Sequence, residues 1–223
     1  MKVKIPQRKN LRAVNYEYLN DTVGQYYRPI QGYFMKKRLD IALRHIQMVF
    51  GVNGVLPKTL DIGYGGGTFI LNLAELSREV HGIDLHDKMA IVMETLNLEG
   101  VTANLVSGDI LKMPYESGFF DLITCISVLE HFKNEDLKHA ISEMLRVLRP
   151  GGYAVFGFPT KNVVSNFIIK NILGFTPDDI HPSGHHQILN AVSESSAQLI
   201  RKTIYPPLLS DIALYVVVTL RKP

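Results

Sequence analysis

The sequence has one cysteine, Cys125, in 223 residues, so an intrachain disulfide is excluded. That thiol follows an apolar run, which predicts a buried, unreactive side chain rather than a nucleophile. Long apolar runs are missing too. The longest, Tyr215 to Leu220, has the length of a strand and falls far short of the roughly 18 residues of a membrane span. The N-terminal segment is basic and polar, without the apolar stretch of a secretory leader. These absences together predict a cytoplasmic protein. Neither sign of charge is in large excess, the formal net charge being +3. The clusters Lys2-Lys4-Arg8-Lys9-Arg12 and Lys36-Lys37-Arg38 read as a solvated tail and an exposed helix face. They are too sparse for a nucleic-acid footprint. No nucleic-acid partner and no stable membrane insertion are expected, although peripheral contact with a membrane stays open. Internal repeats, low-complexity linkers, metal-ligand spacings and nucleophile–base triads are all missing, and no metal is expected.

What is there is a core-forming composition, 46% hydrophobic, in a length that suits one α/β domain with a modest cap. Apolar spacing predicts a helix over 33–50, on Phe34, Leu39, Ile41, Leu43, Ile46 and Phe50. Strand and helix then alternate: strand 59–62, helix 68–76, strand 80–84, helix 88–98, strand 103–106, strand 120–125, helix 135–148 and strand 153–158. Such alternation builds a parallel sheet with helices on both faces. Arg149-Pro150-Gly151-Gly152 supplies the stop for the helix at 135–148. A further apolar helix is expected over 162–175. Two late strands, 199–205 and 212–220, are linked through Pro206-Pro207, which forbids a crossover helix. They predict a hairpin with one antiparallel strand. Residues 1–50 are read as an N-terminal helical lid or segment packed on the core. Residues 51–223 form the main domain, with a cap-like insertion at about 159–190.

In an open parallel sheet the ligand crevice lies beyond the carboxyl ends of the strands. Informative residues fall there in succession. After the first strand come Gly63, Tyr64, Gly65, Gly66 and Gly67. At the end of the second sits Asp84, placed to accept from ribose hydroxyls. After the third comes Ser107-Gly108-Asp109-Ile110, and after the fourth Cys125-Ile126-Ser127-Val128-Leu129-Glu130-His131. The glycine loop with Asp84 points to an adenosine-type ligand. A dinucleotide fingerprint, G-x-G-x-x-G, would need a glycine at 68, where Thr68 stands; the pattern is G-x-G-x-G at 63, 65 and 67.

These motifs, with Met113-Pro114, Phe120-Asp121-Leu122-Ile123 and Leu145 to Gly152, cover about 58–160. They resemble the class I S-adenosylmethionine-dependent methyltransferases, within the small-molecule group that includes ubiquinone and menaquinone biosynthesis enzymes. The resemblance implies a Rossmann-like, doubly wound seven-stranded sheet, mostly parallel with an antiparallel C-terminal hairpin strand. It implies S-adenosyl-L-methionine as cofactor and a small-molecule methyl acceptor with an O, N or C nucleophile. It also implies roles. The loop at Gly63, Tyr64, Gly65 and Gly67 would pack on the methionine and ribose, supported by Asp61. Asp84 would take the ribose hydroxyls and Leu85 the adenine face. Asp109 and the Ile110 amide would take the adenine edge, and Ile126 and Ser127 would offer backbone groups to the methionine. Asp61 and Asp109 also read as plain loop caps. Tyr26 and Tyr27 are lid candidates that would close over the cofactor, or parts of an aromatic seam with Tyr16, Tyr18 and Tyr33. Methyl transfer from an activated sulfonium needs alignment above all, and a base only if the acceptor must lose a proton. His131, His185 and His186 are the candidates for that work. A protein or RNA methyltransferase, a nicotinamide-dependent oxidoreductase and an inactive cofactor-binding protein are the competing readings.

Overall fold

The computed structural model describes residues 2–11, 23–51, 54–168, 181–207 and 212–223. Seven strands form one sheet: β1 (Leu56–Ile62), β2 (Ser77–Asp84), β3 (Asn104–Ser107), β4 (Phe120–Ile126), β5 (Leu148–Pro159), β6 (Gln198–Tyr205) and β7 (Tyr215–Arg221). The described helices are α1 (Pro29–Phe50), α2 (Ile70–Leu73), α3 (Met89–Leu98), α4 (Asn134–Val147), α5 (Val163–Ile168) and α6 (His185–Ser193). Spatial order is β3-β2-β1-β4-β5-β7-β6. The five strands from β3 to β5 are parallel, and β7 is antiparallel to both β5 and β6. This is the Rossmann-like doubly wound arrangement, with the late hairpin on one side. The chain runs outward from β1 to β3, then returns to lay β4 on the other side of β1. That reversal opens a crevice beyond the ends of β1 and β4.

Each sheet face carries its own half of the core. α4 buries Leu137, Ala140, Ile141, Met144 and Leu145 on one side, and α1 buries Leu39, Ala42, Leu43 and Ile46 on the other. A buried Leu or Ile contributes about 2 kcal/mol, so these two faces dominate the packing. One polar group interrupts the α1 face. His45 is 1% exposed, its Nδ1 2.7 Å from Thr219 Oγ1 and its Nε2 2.8 Å from Thr203 Oγ1. Burial, and then Arg201, push its pKa down to about 4, so the ring is neutral and pins α1 to β6 and β7.

The elements differ from the spacing-based ranges mainly at their ends. α1 starts at Pro29 rather than 33, because proline at the first turn has a fitting φ and no amide to leave unpaired. The helix expected over 68–76 shrinks to Ile70–Leu73, since β2 already begins at Ser77. β5 begins at Leu148, so Arg149 to Gly152 end α4 yet belong to the strand. Of the helix expected over 162–175, Val163–Ile168 is observed and the remainder lies outside the described residues.

Residues 2–11 cross the outer side of α2 and the end of α3. Asn72, fully buried, accepts from the Lys4 amide at 2.8 Å and donates to the Lys4 carbonyl at 3.0 Å. Glu99 Oε1 accepts from the Gln7 amide at 2.6 Å and from Asn10 Nδ2 at 2.7 Å. The Tyr27 hydroxyl donates to the Pro6 carbonyl. These bonds tie the segment to the turn at Gln25–Tyr27 that precedes α1.

Candidate functional site

A cavity of about 480 Å³ opens where β1, β2 and β4 end. Asp61, Gly63, Tyr64, Gly65, Gly66 and Thr68 form one wall, Asp84, Leu85 and Ile110 another, and Ile126, Ser127, Val128, His131 and Phe132 a third. Val23, Tyr26, Arg38 and Leu39 complete it from the N-terminal side.

The loop after β1 needs its glycines for different reasons. Gly63 has φ +72°, and a Cβ there would lie 2.2 Å from Val128 Cγ2, so neither backbone nor packing admits a side chain. Gly65 has φ +49° with no heavy atom of the described residues within 4 Å of its Cβ position, leaving bare backbone beside the cavity. Asp84, the last residue of β2, receives the Gly65 amide at 2.8 Å and the His86 amide at 3.3 Å. Asp61, 2% exposed, accepts from Thr124 Oγ1 at 2.8 Å. Burial pushes its carboxyl up to about 7, against the Thr124 bond and with help from Asp84.

Arg38 is the residue that the sequence analysis placed wrongly, in an exposed cluster with Lys36 and Lys37. Its Nη1 donates to Ser127 Oγ at 2.8 Å and its Nη2 to the Tyr26 hydroxyl at 3.2 Å, while Nε is buried without a partner among the described residues. Burial works against the charge, but Tyr26, Tyr215 and Glu130 outweigh it, so the guanidinium stays protonated. The available signal was position: residue 38 directly precedes Leu39 and lies one turn before Ala42, at the border of the buried stripe. Ser127 has φ +58°, a conformation that costs a non-glycine residue about 1–2 kcal/mol. It is held there by its amide bond to the Gly157 carbonyl at 2.7 Å, by Arg38, and by the Tyr215 hydroxyl at 2.8 Å.

Of the residues expected at the site, Tyr26, Asp61, Gly63, Tyr64, Gly65, Asp84, Leu85, Ile110, Ile126, Ser127 and His131 line the cavity. The others do not. Gly67 lies under the loop against Val92 and Leu96 of α3. Asp109 is exposed and caps the turn Ile110–Lys112 by accepting from the Leu111 amide at 2.9 Å. Tyr27 is taken up by Pro6. His185 is buried at the start of α6, where its Nδ1 accepts from the Lys161 amide at 3.0 Å, and His186 beside it is exposed. Both follow from the helix that starts at His185, which turns a polar loop into a first turn. Tyr16 and Tyr18 lie outside the described residues. Cys125 is buried and its thiol is pushed well up by burial, then by Glu130 and Asp61.

Beside the cavity stands a group the sequence analysis did not assemble. One ligating atom each of Glu130, His131 and His181 lie within 4.8 Å of one another, a donor set able to hold a divalent ion. Glu130 is 2% exposed, its Oε2 has no partner among the described residues, and burial raises its pKa to about 8. Burial, then His131 and Lys161, lower His181 to about 4.

Comparison with known proteins agrees with this geometry. Residues 60–156 match a family model described as a methyltransferase domain. The ubiquinone biosynthesis O-methyltransferase of Paraburkholderia phymatum is 34% identical over 111 residues, covering 48% of this chain and 47% of that protein. The enzyme of the same name from Albidiferax ferrireducens is 28% identical over 141 residues, covering 62% of this chain and 55% of that protein. The chain spans about half the length of the curated relatives it matches. Among solved structures, the N-methyltransferase NodS from Bradyrhizobium japonicum, in complex with S-adenosyl-L-homocysteine, superposes with a TM-score of 0.71. It is 19% identical, with 96% of this chain and 98% of that chain covered, and it establishes the shared fold.

Proposed function

We propose that this chain, whose residues 60–156 form a methyltransferase domain, moves a methyl group from S-adenosylmethionine to a small-molecule acceptor. The observation that carries the reading is that two carboxyl groups, Asp84 and Asp61, and the Arg38 guanidinium line one cavity around a glycine loop. The residues fit the cofactor piece by piece. Asp84 suits the ribose hydroxyls, and Leu85 with Ile110 supplies apolar surface for the adenine. The methionine end carries an ammonium and a carboxylate, for which the Asp61 carboxyl oxygens and the Arg38 Nε, unpartnered among the described residues, are the matching acceptor and donor. The missing glycine at Thr68 disfavours a dinucleotide in the same crevice.

When bound, the cofactor supplies a methyl group already activated on a sulfonium. The chain's work is then to bind, align and exclude water. Val23, Tyr26, Val128 and Phe132 form the apolar side of the cavity, where an acceptor would stack. His131 is the polar group among them and is placed to take a proton from a hydroxyl acceptor. The names of the O-methyltransferase relatives favour an oxygen nucleophile. Among the described residues no helix is long and apolar enough to cross a membrane. The reading places the enzyme in the cytoplasm, where one unpaired buried thiol is at home.

Thermal shift and calorimetry with S-adenosylmethionine, S-adenosylhomocysteine and NAD test the reading. At 100 times its dissociation constant a ligand adds about 2.7 kcal/mol, which raises the Tm of a domain this size by about 5–10 °C. Both sulfur ligands should do so. Stabilisation by NAD alone would overturn the proposal.

A further inference from the structure

The chain leaves β2 through Asp84, Leu85 and His86, and the His86 imidazole turns back onto the glycine loop. Its Nε2 lies 2.9 Å from the Gly65 carbonyl oxygen, and its Nδ1 lies 3.1 Å from the Lys88 amide nitrogen. A carbonyl only accepts and an amide N–H only donates. The two partners together require one form of the ring: neutral, with hydrogen on Nε2 and a lone pair on Nδ1. The Gly65 amide is engaged as well, by Asp84. Both polar groups of Gly65 are therefore held by residues at the exit of β2. Among the described residues no heavy atom lies within 4 Å of the Gly65 Cβ position, so the loop backbone is placed by these hydrogen bonds rather than by packing there. The ring itself is held by an edge-to-face contact with Tyr64, centroids 4.9 Å apart.

We propose that His86 is a positioning residue for the cofactor loop: its neutral ring, carrying hydrogen on Nε2, fixes the Gly65 carbonyl, and a second proton on the ring releases the loop and weakens ligand binding. The ligand's identity rests on the methyltransferase reading; the clamp does not. Added at Nδ1, the proton would face the Lys88 amide, donor against donor, and break that bond. It would also draw the ring to Asp84, whose Oδ2 lies 3.8 Å from Nε2, and pull that carboxylate from its place beside Gly65. Tyr64 faces the ring from the loop, and Asp87 and Lys88, paired with each other at 2.8 Å, flank it along the chain. The clamp thus couples acidity to the ribose carboxylate and to the loop at once.

The test uses the full chain, with calorimetry of S-adenosylhomocysteine binding between pH 5.5 and 8 on wild type, His86→Ala and His86→Gln. The glutamine amide can donate to the Gly65 carbonyl but does not titrate. At pH 8, His86→Ala should bind about tenfold more weakly, and His86→Gln should recover affinity to within about threefold. On acidification the wild type should lose more affinity than His86→Gln, since other groups titrate equally in both. Identical pH profiles, or wild-type affinity in His86→Ala, overturn the proposal. Nitrogen-15 NMR of the ligand-free wild type, with His86 assigned by difference from the glutamine variant, reads the tautomer without any ligand. Hydrogen on Nδ1 would also overturn it. Absence of binding by all three proteins, with the Nε2–H form present, would count against the methyltransferase reading and leave the clamp standing.

Discussion

Asp61 shows how a single buried group links the site to stability. An unfolded aspartate loses its proton near pH 4, whereas Asp61 keeps its proton to about 7 because burial disfavours the charge. Between those values the folded chain binds more protons than the unfolded one. The contribution of Asp61 to the stability of the ligand-free protein should therefore fall as pH rises from about 4 to 7, by on the order of 2–4 kcal/mol, while the buried neutral rings of His45 and His181, lowered to about 4, act in the opposite sense. Glu130, raised to about 8 by burial, adds a decline of the same sign that reaches slightly higher pH. Urea unfolding of wild type and Asp61→Asn at pH 4.5 and 7.5 checks this: going from the lower to the higher pH, the variant should lose less stability, or gain more, than the wild type. Equal slopes in the variant and wild type would assign the decline elsewhere. Legibility at this scale was uneven. Asp61 and Asp84 were readable because each lies in the last two residues of a strand and two residues from a glycine. Arg38 was not, because a charge in a run of three looks solvated until the helix phase places it beside Leu39. His86 was hidden for a related reason: its role depends on which backbone groups fold back over it, and spacing carries no record of that.

Among the elements, the segment 2–11 matters more than its polarity suggested. It read as a solvated tail because it is basic, but its contacts run through backbone groups and through Asn72, which leave no hydrophobic pattern. Asn72→Ala removes two bonds to Lys4 and one to the Thr68 carbonyl. The loss should cost about 2 kcal/mol. It should also free the segment, so that trypsin cuts at Lys4, Arg8 or Lys9 faster than in wild type under native conditions. An unchanged cleavage rate would show that the remaining bonds to Glu99 and Tyr27 suffice. The order of helices and parallel strands, by contrast, was legible, since period and glycine stops are local, while their ends were not: the helix expected over 68–76 keeps only Ile70–Leu73. The histidines at 185 and 186 show the limit of that approach. The adjacent pair reads as a candidate base, but α6 starts at His185 and gives that ring to the Lys161 amide.

The molecule as a whole has two half-cores, one on each face of a shared sheet. Val217 of β7 belongs to one and Val218 to the other, so neither half can open without disturbing the same strands. Met144→Ala on one side and Leu43→Ala on the other should each cost about 2–5 kcal/mol. Each should leave a single transition, coincident by circular dichroism and intrinsic tyrosine fluorescence. Two separated transitions in either variant would show that the halves unfold independently. The class of this fold was visible from alternation alone. The placement of β7 inside β6 was not, since a hairpin pattern does not say which of its strands meets the parallel sheet.

That placement has a consequence for how the protein is made. β7 joins β5 to β6, yet it follows both in the chain. During vectorial synthesis β5 therefore waits at the ribosome with an open hydrogen-bonding edge, flanked by Val155 and Phe156, both fully buried in the finished fold. Such an edge invites pairing with other nascent chains. The late strand acts as a closing stave, and the interval before its arrival is when chaperones have most to guard.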